Sequence, residues 1–171
     1  LQLKLRQADP IDFEASDLNW LLTHLGDPDS YLRDTLTYSL FERGFMARGF
    51  TQAQKSEIAS RLEVMNGLWC GIDEVQNDFV FLRSFTALVG ALILSADADQ
   101  PFLSINSRQI WIEWALKYLT LEQDRRGFVP ENGWAHAIAH GSDFLEAAIR
   151  HPQFPEASLP QAMQVVEKVL R

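Results

Sequence analysis

The chain has 171 residues, 47% of them hydrophobic, and its 15 Lys plus Arg stand against 23 Asp plus Glu for a formal net charge of −8. That length fits a single domain, residues 1–171, able to bury about 70% of its unfolded surface, and the five tryptophans argue for a packed core over disorder. Nucleic-acid binding relies on clustered Lys and Arg to neutralise phosphates; here the only basic pair, Arg125-Arg126, is flanked by Glu122 and Asp124, which argues against nucleic acid as a partner.

One cysteine, Cys70, cannot close an internal disulfide, and between Trp69 and Gly71 it reads as a small buried hydrophobe rather than a reactive thiol. A cytoplasmic location follows as the default. The sequence begins at Leu1 rather than Met, which reads as a chain trimmed at one or both ends.

Helical spacing recurs along the chain, whereas strand-type alternation is nearly absent. Leu18, Leu21, Leu22 and Leu25 form one apolar stripe ending at Gly26, and Asp27-Pro28-Asp29-Ser30 makes a turn in which Asp29 is suited to cap the next helix. That helix carries Leu32, Leu36 and Leu40 and is expected to stop near Gly44. Thr51 and Gln54 have the spacing of a capping box. Ile58, Leu62, Met65 and Trp69 follow on one face, with Glu57 and Arg61 able to pair outside.

The most apolar run, Phe79 to Ala96, is interrupted by Arg83, and the uncharged remainder from Ser84 spans only about 20 Å as a helix. A bilayer core needs about 30 Å, so the run predicts a buried central helix from about Asp78 to Ala96 and no membrane partner. Ser95 to Pro101 reads as a polar loop. Trp111, Trp114, Ala115 and Tyr118 stripe a helix starting near Ser107, the breakers Gly127, Pro130 and Gly133 mark an irregular stretch, and a helix from Trp134 to Arg150 follows. Ser158 and Gln161 open a last helix striped by Ala162, Val165, Val166 and Val169.

About seven helices with short connections predict an all-α fold, an irregular α-α superhelix of antiparallel hairpins, with a compact orthogonal bundle as the alternative. The first pair, with Gly-Asp-Pro-Asp leading into Tyr31-Leu32-Arg33-Asp34, resembles a HEAT-type repeat, in which the acidic turn caps the second helix and an arginine bonds to neighbouring turns. The later pairs differ in length, so no fixed period emerges.

The segment from Asp124 to Leu145 is the most unusual. With Trp134 at zero on a helical wheel, Ile138, Gly141, Leu145 and Ile149 fall within about 60° of it as a core stripe. His136, His140 and Asp143 fall at about 200°, 240° and 180°, on the opposite face. Histidines at i and i+4 can share one divalent metal, with Asp143 as a third ligand or an orienting carboxylate. Alternatively, His140 acts as a general base held by Asp143. The third possibility is structural, with the imidazoles bonding a loop or a neighbouring helix, and for isolated His pairs this is the commoner case. Gly141 inside a helix costs about 1 kcal/mol against Ala, which points to a close approach there.

Three blocks carry a family resemblance: Arg126-Gly127-Phe128-Val129 through Gly133-Trp134-Ala135-His136 to His140-Gly141 and Asp143-Phe144-Leu145; Asp78 to Phe85; and Pro101-Phe102-Leu103-Ser104. Over most of the stretch from Asp27 to Pro152 the chain resembles a bacterial family, domain of unknown function 2785. The resemblance implies a helical-repeat fold and no particular activity or cofactor. It marks His136, His140, Asp143, Arg83 and Asp124 as the positions to test, beside Trp134 in the same block. Arg83 near the start of a buried helix needs a carboxylate, which Asp124 or Asp143 could supply as a structural ion pair. The sequence therefore predicts a binding or interaction module with a protein partner, and, as the alternative, an enzyme or metal protein using His136, His140 and Asp143.

Overall fold

A computed structural model describes residues 1–170. Among these, seven α-helices follow one another: α1 (Ala15–Thr23), α2 (Ser39–Met46), α3 (Gln52–Met65), α4 (Phe79–Asp99), α5 (Ile105–Leu121), α6 (Ala137–Arg150) and α7 (Leu159–Leu170). A wide, π-helical stretch, Tyr31–Tyr38, leads directly into α2. The fold is all-α apart from one antiparallel hairpin, β1 (Phe128–Val129) and β2 (Gly133–Trp134), which the sequence pattern does not predict.

Local chemistry starts two of the helical stretches where it was expected to. Thr51 and Gln54 satisfy each other's backbone N–H groups in a capping box, and the Asp29 carboxylate accepts from the N–H groups of Tyr31 and Leu32. Glu57 and Arg61 pair at 3.3 Å. Other boundaries move. Gly44 does not end its helix; it is buried in α2, where an added Cβ would meet the Phe50 ring at 2.1 Å. Ser95 to Asp99 is helical, because the buried Asp97 has work to do at the end of α4. Its Oδ1 accepts from the backbone N–H of Phe102 and Leu103, and its Oδ2 accepts from Arg108 Nε and lies 3.0 Å from His151 Nε2. Burial pushes the Asp97 carboxyl up, but the Arg108 and backbone hydrogen bonds outweigh it and hold the group below its ordinary value.

The core centres on α4, which packs most extensively against α6 and also against α2, α3 and α5. By length and apolarity α4 could cross a bilayer, yet 72% of its apolar window is buried inside this protein, so its greasy surface is already covered. Arg83 on α4 is fully buried and forms a two-pronged ion pair with Glu122 (2.7 and 2.9 Å), to which the Tyr118 hydroxyl also donates. The expected structural pair is therefore present with a different acid. Asp124 instead grips Arg126 at 2.6 Å, and Asp143 lies exposed on α6.

Gly141 sits where two helices touch: a Cβ there would come within 2.5 Å of Leu119 and 2.8 Å of Tyr118 on α5. Cys70, expected to be buried, is half-buried.

Candidate functional site

The predicted helix from Trp134 starts three residues late, and this rearranges the expected site. Trp134 lies in β2 and is 47% exposed; it is not a core residue. His136 takes a left-handed conformation (φ 52°, ψ 25°), sparsely populated for a residue with a Cβ, and α6 begins after it. With the helix starting at Ala137, its inner face carries Ala137, His140, Gly141, Phe144 and Leu145, while Ile149 is partly exposed. His140 thus turns inward, 9% exposed, and the expected polar row of His136, His140 and Asp143 is split among three environments.

What holds the segment is Arg33, buried in the π-helical stretch and sandwiched over the rings of Phe81 (4.2 Å) and Phe85 (5.0 Å). Its Nη1 donates to the Asp27 carbonyl at 2.7 Å and its Nη2 to the Asn132 carbonyl at 2.8 Å, with a longer bond to the Trp134 carbonyl at 3.4 Å. Its Nε donates to Asp34 at 2.9 Å. One planar fork therefore fastens the first helical turn to the hairpin. Asn132 adds a bond from its side chain to the Pro28 carbonyl. At Gly133 (φ +79°) a Cβ would meet Ser30 at 2.7 Å, so both the conformation and the close approach require glycine. Val129, Val80, Phe81, Ala135 and Ala137 make a small apolar cluster that seats the hairpin on the start of α4.

A ladder of rings runs from solvent to core. Phe128 meets Trp134 edge-on (5.3 Å, 78°), Trp134 stacks flat on His136 (4.5 Å, 9°), His136 lies 5.5 Å from His140, and His140 meets Phe85 edge-on at 4.8 Å. Burial, and then the neighbouring His136, push the His140 imidazole down to about 4, so it is neutral at physiological pH. Its Nδ1 is buried with no hydrogen-bond partner. Asp34 and Asp143 both interact electrostatically with His136, and burial raises both carboxyls above their ordinary range; Glu146 adds to the rise at Asp143. Burial, with Glu42 and Asp143, pushes Tyr38 up to about 12.

The structure thus brings Trp134, His136 and His140 together, leaves Asp143 at the rim, and places Arg83 and Asp124 in separate structural pairs. Among the described residues no group of three or more His, Cys, Asp or Glu converges to hold a metal ion. Sequence reasoning missed Phe85 and Asp34 as neighbours of the histidines and Phe128 as the neighbour of Trp134. The arginine expected of a HEAT-type turn was the available signal for Arg33 and its local partners, but Asn132 and Trp134 lie about a hundred residues away, where no local pattern could reveal them.

Fold and site together define an all-α protein with a rigid aromatic hairpin tied across its surface. The chain belongs to the family described as protein of unknown function (DUF2785), whose model matches residues 68–171. No curated protein and no solved structure matches it.

Proposed function

We propose that this protein is a binding module, an irregular superhelix of stacked helix pairs whose hairpin face engages a partner protein. The observation that carries this reading is the hairpin itself. Phe128 and Trp134 are 61% and 47% exposed, yet the backbone that presents them is fastened by a buried arginine and by the close approach of Gly133 to Ser30. Large aromatic side chains held rigid at a surface lose little further entropy on binding and are the residue types that dominate protein interfaces. Stability gives no reason to expose them, since burial of each ring would favour folding by about 2 kcal/mol. A selection of phage-displayed random dodecapeptides on the whole chain, counter-selected on a Trp134→Ala variant, tests it. Peptides that bind the wild type and are lost on the variant are expected; a selection that yields none, or only peptides indifferent to Trp134, rejects the reading.

A second reading, an enzyme or metal protein at His136 and His140, is supported by the orphaned Nδ1 of His140. It predicts that zinc or nickel raises the melting temperature of the wild type and not of His140→Phe. Equal melting curves with and without metal would dispose of it.

A further inference from the structure

The hairpin face has a charge pattern that its aromatic rings do not explain. The segments that build it (residues 26–34, 73–79 and 127–146) hold nine acidic residues and one cation, Arg33, with no lysine, although Arg150 just beyond pairs with Glu146 at 3.2 Å. Arg33 is buried and its donors are fully engaged with Asp34 and backbone carbonyls. At the border, Arg126 is neutralised by Asp124, leaving Arg125 as the exposed cation nearest in sequence. Glu131 and Asp78 are exposed and can meet charge from outside, Asp78 with Arg126 as an internal neighbour. Asp34 is already paired with Arg33 at 2.9 Å, so the outward charge of this face rests on the other carboxylates.

Beside the hairpin, Gly26, Pro28, Asn77, Asp78 and Phe79 line an open cleft of about 290 Å³, and Phe79 is 51% exposed. The cleft adjoins the hairpin through two contacts: Asn132 donates to the Pro28 carbonyl and Arg126 donates to the Asn77 carbonyl. Apolar surface, ring faces and carboxylates are therefore presented together. Ring faces attract cations through their quadrupole, and nearby carboxylates reinforce that attraction while opposing an acidic partner.

We propose that the partner engaged by this face is a basic segment of a protein, with a lysine or arginine set over the Trp134 and Phe128 rings and an apolar neighbour in the cleft at Phe79. This assignment rests on the reading of the hairpin as a binding face and adds the chemistry of what it binds. Charge complementarity decides the class. An acidic segment would meet an excess of like charge, and a purely apolar one would leave the carboxylates desolvated without partners.

The Trp134-dependent peptides from the selection described above supply the probe. Their composition is expected to be net positive, and a representative peptide is expected to lose about tenfold or more in affinity when ionic strength rises from about 0.1 M to about 1 M, as the Debye length falls from about 10 to about 3 Å. The double variant Asp78→Asn/Glu131→Gln alters only exposed side chains and is expected to keep the wild-type melting temperature while weakening the same peptide several-fold. Trp134-dependent peptides that are neutral or acidic, or a basic peptide indifferent to salt and to the double variant, would overturn the assignment while leaving the binding face standing. A selection without Trp134-dependent peptides would remove both.

Discussion

At the scale of single residues, three buried charges or near-charges set the energetics. Arg33 satisfies backbone carbonyls on two distant segments, so Arg33→Met would leave them buried without donors, at about 1–3 kcal/mol each. A loss of about 3 kcal/mol or more is expected in urea unfolding, with faster amide exchange over residues 127–135. Glu122→Gln removes half of a fully buried ion pair and is expected to cost about 3–5 kcal/mol in the same measurement. His140 makes a pH prediction. In the unfolded chain its imidazole takes a proton near 6.5, but in the folded protein only near 4. Between those values the unfolded state binds more protons, so stability falls as pH drops through that window. At about 1.4 kcal/mol per pKa unit, His140→Phe should flatten that acid limb by about 2–3 kcal/mol, read as the wild-type minus variant difference in unfolding free energy between pH 7 and pH 4.5. The raised Asp34 and Asp143 carboxyls act with the opposite sign in both proteins and cancel in the difference. That Arg83 needs an acid was legible in the sequence. Which acid was not, because the choice between Glu122 and Asp124 is made by how the chain leaves α5, and there only Glu122 reaches Arg83 Nε and Nη2.

Among elements, the helices were the legible part and the hairpin was not. Leu18, Leu21 and Leu22, or Trp111, Ala115 and Tyr118, repeat over enough turns for the helical period to show. Two strands of two residues each are too short to show any period, and what makes them strands is a glycine at positive φ and an arginine brought from the far end of the chain. Trp134 lies outside α6 and does not mark its inward face, which runs through Ala137, Gly141, Phe144 and Leu145 and takes His140 with it; that is why the histidine row predicted on one polar side came apart. The close approach inferred at Gly141 is present. Gly141→Ala would gain about 1 kcal/mol in helix propensity but force Tyr118 and Leu119 aside at a cost of about 1–3 kcal/mol, so a net lower melting temperature is expected in calorimetry. On α7, Ala162 and Val165 are buried while Val166, placed by its spacing on the same stripe, faces outward with Leu159 and Met163.

Across the whole molecule, one long helix, α4, is covered by α2, α3, α5 and α6, and the hairpin is fastened where the first third of the chain meets the last. Three of the contacts that hold the hairpin cross that seam, the guanidinium fork, the Asn132 bond and the close approach of Gly133 to Ser30, while Val80 and Phe81 seat it from α4. The family model matches from residue 68 onward, so it contains the rings but not the residue that steadies them. The face therefore draws on residues from both sides of that boundary. A piece beginning at residue 68 would keep Phe128, Trp134 and both histidines and still lack the strut beneath them; its indole would wander, and a partner would find the right letters on an unsteady page.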